Sequence, residues 1–253
     1  MIDFFKISTR PGKRGTVEVY PEFIIKKSTD LMIRGSDFYA IWVEERGLWS
    51  TDEDDVVQLI DRDLERFASE NGERIKEENN VSRVRVMRMR DAGSGMIDAW
   101  HKYCQRQMRD NFHMLDEKLI FSNVETTKKD YASKRLNYPL EAGDTPAYDK
   151  LISTLYSEEE RHKIEWAIGS IVTGDSKKIQ KFMVLYGAAG TGKSTILNII
   201  QQLFDGYYSV FDAKALGSSS NSFALEAFNS NPLVAIQHDG DLSKIEDNTR
   251  LNS

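Results

Sequence analysis

Cysteine, proline and long apolar runs are all scarce in this sequence. Cys104 is the single cysteine among 253 residues, so no disulfide forms within the chain and the thiol is expected to pack in a core. Five prolines leave no room for a long proline-rich linker. The first residues lack the apolar stretch of roughly 7 to 15 residues of a signal peptide, and no later run approaches the roughly 18 apolar residues of a membrane span. We therefore expect a protein of the reducing cytoplasm with no membrane partner.

Histidine is scarce as well, and the net charge is negative. The four histidines show no metal-ligand spacing with one another or with Cys104, so we expect no structural metal. A net charge of -6 argues against a surface that attracts nucleic acid as a whole, so any contact with DNA has to be local. One local candidate is the run VSRVRVMRMRDAGSG at 81–95. Its four arginines are either a phosphate-binding patch or, as we favour from sequence, a solvated basic face.

Length and composition predict two folded domains. The chain has a mass of 29.0 kDa, with 40% hydrophobic and 29% charged residues, and it can bury two modest cores. Residues 17–26 and 38–44 have the β-branched and aromatic content of strands. Trp42 and Trp49 are expected to pack together beside the second of these strands.

Apolar residues at helical spacing predict helices in the first 175 residues. Ser50 or Thr51 is expected to begin the first helix, and Gly72 to end it. Further along, Ser157 followed by Glu160 makes a capping box. The predicted helical regions are 50–72, 99–115 and a pair within 147–175.

Residues 187–194 read GAAGTGKS and match the phosphate-loop pattern G-x-x-x-x-G-K-[ST] in full. The preceding KFMVLY has the pattern of a buried strand, and the following STILNIIQQLF that of an amphipathic helix. Glycines let backbone N–H groups approach phosphates, and the helix N-terminus adds its positive end. Lys193 is expected to reach the β- and γ-phosphates, and Ser194 to ligate Mg²⁺. The predicted ATP site comprises Gly187, Ala188, Ala189, Gly190, Thr191, Gly192, Lys193, Ser194 and Thr195.

Hydrolysis also needs a carboxylate near the metal and the attacking water. The segment NPLVAIQHDGDLSK predicts a short strand at 233–237 that delivers Asp239 and Asp241 at its C-terminal end. Asp239 is assigned to the Mg²⁺ shell, and Asp241 to a second role in that shell or in polarising water. The alternative is a turn in which both aspartates bond to backbone N–H groups.

Several stretches together resemble a known family. AYDKLISTLYSEEERHKIEWAIGSIVTGD followed by KFMVLYGAAGTGKST resembles the superfamily III helicases in the primase-helicase proteins of poxviruses and tailed phages, above all phage proteins called DNA primase. FYAIWVEERGLWSTDEDD and EKLIFSNVETTKKDYASKRLNYPLEAG resemble that group's N-terminal module. The resemblance implies an α+β module with a helical bundle at 1–140. It further implies a helical prelude at 141–178 and an α/β P-loop NTPase core of the AAA+ type at 179–253.

By this resemblance the protein is an ATP-dependent DNA helicase and NTP hydrolase of viral DNA replication. Lys193, Asp239 and Asp241 would be its catalytic residues, and Ser194 with Asp239 would hold the Mg²⁺ of bound ATP. Members form rings, usually hexamers, on single-stranded or forked DNA. They work beside replication proteins such as a primase or polymerase, which for a phage means the cytoplasm of the bacterial host.

Two departures from the family pattern bear on these expectations. The aspartates at 239 and 241 stand where many members carry glutamate. The chain also ends at Ser253, ahead of the places where the family carries its DNA-contacting hairpin, polar sensor and arginine finger. We therefore expect an incomplete ATPase core with an unpaired sheet edge and exposed apolar surface, unable to unwind DNA alone.

Other functions share the phosphate loop. A nucleotide-dependent assembly or loading module would bind ATP and partners without turnover. A small-molecule or nucleoside kinase has the same loop, but the long helical prelude argues against it. Priming is not expected, because the residues before 150 contain no convincing carboxylate cluster for two metals.

Overall fold

The computed structural model describes residues 3–24, 27–34, 38–106, 112–212, 226–229 and 231–238. The chain folds into two compact units, the first from 1–115 with 125–133 and the second from 116–124 with 134–253. Each unit has an apolar core of its own. Across these described ranges, no helix combines the length and apolar character that a membrane crossing requires.

Three strands form the central sheet of the first unit: β1 (Lys6–Pro11), β2 (Thr16–Glu22) and β6 (Arg83–Val86). β1 and β2 are antiparallel neighbours, and β6 lies parallel to β2 on its other side. Burial alternates along β2, where Val17 and Val19 are buried and the residues between them are not. One face of the sheet is therefore covered, and the other, whose β2 residues are partly exposed, is called the open face. The strand predicted at 17–26 is present, but it ends at Glu22: residues 23 and 24 are not in a strand, and 25–26 lie outside the described residues.

The covering element is helix α1 (Glu53–Asn79), which packs against β2 and β6. Its buried apolar residues recur at helical spacing and belong to the same core as the covered sheet face. They are Val56, Leu59, Ile60, Leu64 and Ile75. The chain from β2 through α1 to the parallel β6 thus makes a crossover connection over one face of the sheet.

The predicted start of α1 is wrong by one or two residues. Asp52 is the N-cap, because its carboxylate accepts a hydrogen bond from the backbone N–H of Asp54 at 2.9 Å. The Ser50 hydroxyl instead bonds the carboxylate of Asp55. The Asp52 carboxylate offers two acceptor oxygens at the last extended position, so it caps the helix in place of the Ser50 hydroxyl.

The predicted end of α1 at Gly72 is also wrong. The helix continues to Asn79, because the apolar repeat extends to buried Ile75 and its burial outweighs the roughly 1 kcal/mol that a helical glycine costs. Asn80 then ends the helix in the left-handed conformation, with φ of 50°.

A buried carboxylate connects α1 to the segment after β6. Asp61 has no exposed surface, and its Oδ1 accepts a hydrogen bond from the Met89 backbone N–H at 2.6 Å. Its Oδ2 accepts one from Arg90 Nε at 2.7 Å. A buried carboxylate lowers the stability of the fold unless hydrogen-bond donors satisfy it. These bonds therefore specify the position of the segment 87–90 against α1.

A second antiparallel sheet in the first unit contains β3 (Leu31–Ile33), β4 (Tyr39–Val43) and β5 (Leu48–Ser50). Trp42 and Trp49 are cross-strand partners on β4 and β5, with ring centroids 5.8 Å apart. The predicted strand at 38–44 and the packing of the two tryptophans are both confirmed.

Helix α2 (Met96–Arg106) corresponds to the first half of the helix predicted at 99–115. Residues 107–111 lie outside the described residues, and 112–115 are not helical. Cys104 is buried on α2 as expected, and burial raises the pKa of its thiol to about 12. The thiol is therefore protonated at neutral pH and acts as a packing group.

The second unit is mainly helical. Ser157 and Glu160 form the predicted capping box, and β8 (Val234–Ile236) falls within the strand predicted at 233–237. The strands β7 (Tyr208–Val210) and β8 pair in parallel, and helix α6 (Lys193–Leu203) precedes β7 in the chain. The elements are α3 (Pro146–Leu155), α4 (Glu158–Val172), α5 (Ser176–Ile179), α6 (Lys193–Leu203), β7 (Tyr208–Val210) and β8 (Val234–Ile236).

The division between the units differs from the predicted boundary at residue 140. Segments 116–124 and 134–140 belong to the second unit, because they bond to each other and enter its core. The backbone N–H of Leu136 donates to the Ile120 carbonyl at 2.7 Å, and Leu136 and Phe121 are buried there. Such pairing between distant segments has no local sequence signal.

The buried strand predicted at 181–186 is not formed. Phe182 and Tyr186 are 84% and 98% exposed, and Leu185 alone in this segment is partly buried against the core. A buried strand needs neighbours on its backbone edges, and β7 and β8 pair in a two-stranded sheet that does not include this segment. Apolar composition without a pairing partner is insufficient to make a strand.

The buried Asp61 bonds generate a stability prediction. Asp61→Asn should lower the free energy of unfolding by about 1–3 kcal/mol, because the amide brings donors of its own to a site that already supplies donors. Glu65→Gln is the matched control, since Glu65 pairs with Arg88 at 2.7 Å on the exposed side of the same helix. That change should cost under about 1 kcal/mol. Urea unfolding followed by circular dichroism measures both, and equal losses would contradict the role of Asp61.

Candidate functional site

Helix α6 determines where the phosphate-loop residues lie. Ile196, Ile200 and Phe204 recur at helical spacing and are buried in the core of the second unit. The opposite side of the first turn, with Ser194 and Thr195, is exposed. The predicted helix is confirmed, and its N-terminal turn points out of the core.

The loop entering α6 depends on two glycines in the left-handed region. Gly190 has φ of 77° and Gly192 has φ of 82°, conformations that residues with a Cβ atom adopt at a cost. Between them, the Thr191 hydroxyl donates a hydrogen bond to the Ala188 carbonyl at 3.0 Å and closes the loop on itself. The glycine spacing of the motif thus matches the backbone turn that the structure contains.

The Lys193 side chain folds back over this loop. Its Nζ donates to the Gly187 carbonyl at 2.9 Å and to the Ala188 carbonyl at 2.7 Å. The Thr191 hydroxyl lies 3.4 Å from the same nitrogen. The ammonium group is therefore held over the loop by its carbonyl oxygens, at the place where the motif requires a positive charge.

The N-terminus of α6 carries no side-chain cap. Gly192 is the N-cap residue and has no side chain to accept from the first turn. The first intrahelical bond is from the Ile196 N–H to the Gly192 carbonyl, at 3.1 Å. The preceding amides, those of residues 193–195, have no acceptor within the helix. Such amides and the helix dipole favour an anion at this end.

A leucine of α3 packs against the loop, and sequence reasoning did not identify this contact. A Cβ atom at Gly192 would lie 2.7 Å from Leu155 Cδ1 and 2.9 Å from Cδ2. The positive φ therefore favours glycine at position 192, and any larger residue there would also have to displace the Leu155 side chain. The sequence places Leu155 only in an apolar helical stripe, because nothing local connects it to a loop 37 positions later.

The structure brings together the predicted phosphate-loop residues 187–195, whereas the two predicted carboxylates, Asp239 and Asp241, lie outside the described residues. The described chain follows β8 to His238, so the strand end that precedes both aspartates is present. No group of three or more His, Cys, Asp or Glu side chains within the described ranges is arranged to hold a metal ion.

The chemistry of residues 187–195 fits the phosphates and the Mg²⁺ of a bound nucleotide. Uncapped amides, the Lys193 ammonium and the turn at Gly190 and Gly192 suit phosphate oxygens. The exposed Ser194 hydroxyl lies in the first turn of α6, where the motif places a Mg²⁺ ligand.

Comparison with known proteins identifies no relative. No protein-family model matches the chain, and neither the curated proteins nor the solved structures include a match.

The loop geometry predicts that nucleotide binding depends on Lys193. Lys193→Ala should weaken ATP binding at least about tenfold, on the order of 1.4 kcal/mol or more, because it removes the side-chain positive charge from a site otherwise built of backbone dipoles. Lys163→Ala is the matched control, as Lys163 pairs with Glu159 on the exposed side of α4. Isothermal calorimetry measures both, and equal ATP affinity in wild type and Lys193→Ala would contradict the site.

Proposed function

We propose that this chain is the ATP-binding and ATPase front part of a phage replicative DNA helicase of the superfamily III type, with Mg·ATP bound at residues 187–195. One observation carries the proposal. A loop with the full G-x-x-x-x-G-K-S pattern enters an uncapped helix whose other face is buried, and Lys193 is held over that loop.

Each loop residue has a separate task in this proposal. The amides at the start of α6 bind phosphate oxygens, and Lys193 exchanges its bonds with the loop carbonyls for bonds to the β- and γ-phosphates. The Ser194 hydroxyl serves as a ligand for Mg²⁺, which neutralises charge that develops on the phosphates. Leu155 keeps the turn at Gly192 in place from the helical side.

Asp239 and Asp241 supply the acidic partner in this proposal. Support comes from the parallel pairing of β7 and β8, since carboxyl ends of parallel strands are where α/β proteins gather ligand-binding residues. Asp239 follows β8 by three positions and is assigned to the Mg²⁺ shell. Asp241 has a second role in that shell or in polarising the attacking water.

The remaining parts of the proposal rest on the family resemblance in the sequence. They are an AAA+ type core, assembly into a ring, usually a hexamer, and action on single-stranded or forked DNA beside a primase or polymerase. The setting is phage DNA replication in the cytoplasm of a bacterial host. The helical prelude contributes α3 and α4 to the unit that holds the loop, which agrees with such an arrangement.

A second candidate function is a nucleotide-dependent assembly or loading module that binds ATP without turnover. The exposed apolar side chains just before the loop favour it, since contiguous exposed apolar residues are typical of contact surfaces. These residues are Phe182, Met183, Val184 and Tyr186.

ATPase measurements with and without single-stranded DNA distinguish the two functions. A motor should turn over ATP faster when DNA is added, because translocation couples the two. Binding of ATP without turnover in either condition would support the assembly module instead. Absence of ATP binding would overturn both.

The assigned roles predict different effects for the acidic and basic residues. In a version of the protein that carries the full C-terminal half of the family's ATPase, Asp239→Asn should leave ATP affinity within about threefold of the unsubstituted protein while removing Mg²⁺-dependent turnover, because the carboxylate acts on metal and water rather than on the phosphates. Asp241→Asn is the comparison variant. If Asp241→Asn is inactive and Asp239→Asn keeps its turnover, the two roles are exchanged.

A further inference from the structure

The structure divides the four arginines of the run at 81–95 into two pairs. Arg88 and Arg90 bond to acidic side chains of α1 and serve to attach the segment to the helix. Arg83 and Arg85 lie on β6, are exposed, and alternate with Val84 and Val86, which pack on the core. Because strand side chains alternate, both arginines lie on the face of the sheet opposite α1.

Three further cationic residues lie at the same end of this sheet. Arg10 on β1 is exposed, and the turn that joins β1 to β2 carries exposed Lys13 and Arg14. The pairing register places Arg83 opposite Thr16, the first residue after the turn. Five cationic residues therefore stand at one end of this sheet, in a chain whose net charge is -6.

Glu18 is the carboxylate at the centre of this group. Its pairing partners are Arg10 on β1 and Arg85 on β6. The distance from its carboxylate is 2.9 Å to Arg10 Nε and 3.7 Å to an Arg85 nitrogen. Both arginine side chains remain about half exposed or more, at 45% and 63%, whereas Glu18 is 13% exposed. One carboxylate thus orients two guanidinium groups without neutralising the patch.

The patch also contains a cation–π pair. Arg10 lies over the ring of Tyr20, with Cζ 4.7 Å from the ring centroid. Tyr20 alternates with Val19 along β2; it is partly buried and also packs against the core of the first unit. A guanidinium plane supported by an aromatic ring can stack on an unpaired base.

We propose that the cationic end of the open β1-β2-β6 face, formed by Arg10, Lys13, Arg14, Arg83 and Arg85, binds single-stranded nucleic acid. Clustered guanidinium groups fit phosphates, and the Arg10–Tyr20 pair fits an exposed base. In a duplex the bases are paired and stacked on one another, so a duplex would contact this surface only through its phosphates. This binding does not require ATP, and the proposal is therefore independent of the proposed ATPase function.

Fluorescence anisotropy without nucleotide or Mg²⁺ tests the proposal. The probes are a labelled oligothymidine of about 20 nucleotides, the matching oligouridine and a duplex of the same length. At about 50 mM salt, Arg83→Gln with Arg85→Gln should weaken single-strand binding at least about tenfold and lower the salt slope by about 0.7 for each phosphate that the protein no longer neutralises. Binding of either single strand, DNA or RNA, more tightly than the duplex supports the proposal.

Two further variants distinguish binding by this surface from a non-specific effect of the positive charge of the protein. Arg62→Gln with Arg74→Gln removes the same charge from exposed positions on α1 and should change binding less than about twofold. Arg10→Lys keeps the charge but removes the stacking plane, so it should weaken binding with little change in salt slope. Equal losses in the two double variants, or equal affinity for duplex and single strand, would overturn the proposal. ATP affinity should be unchanged by Arg83→Gln with Arg85→Gln, which keeps this test distinct from that of the nucleotide site.

Discussion

The burial of one face of α6 is the interaction on which the candidate site depends. Ile196, Ile200 and Phe204 pack in one core with Ile152 of α3 and Ile164 of α4. Close-packed side chains prevent the helix from sliding along its axis, so its N-terminal amides stay where they are. A glycine-rich loop loses much conformational freedom when it is ordered, and a fixed helix end limits the number of residues that have to be ordered.

The other end of the loop lacks equivalent support. The segment 181–186 has the composition of a strand, yet Leu185 is its one contact with the core and Phe182 and Tyr186 are exposed. Strand backbone is stable only when its N–H and C=O groups are paired, and β7 and β8 pair with each other. The loop is thus held from the side of α6 and of Leu155. The same unpaired apolar segment is the physical basis for the alternative function as an assembly module.

Carboxylates decide which basic residues of the first unit serve the fold and which remain on the surface. Asp61 is buried, so its bonds to Arg90 and to the Met89 backbone are structural. Glu18 is shared by two guanidinium groups on an open sheet face and leaves both of them exposed. Burial strengthens an electrostatic interaction and water screens it, so the same residue types have different roles in the two places.

The sequence by itself determined the elements whose signals are local. Periodicity located α1, α6 and the helix pair around Ser157, and the glycine spacing matched the turn that leads into α6, because helix faces, caps and tight turns depend on neighbouring residues. Tertiary structure decided the true ends of α1, the pairing of 116–124 with 134–140, the unpaired state of 181–186 and the contact of Leu155 with Gly192. It also decided that Arg83 and Arg85 share an open face with Arg10. Each of these depends on residues far apart in the chain, and strand pairing and packing between distant segments leave no periodic mark in a single sequence.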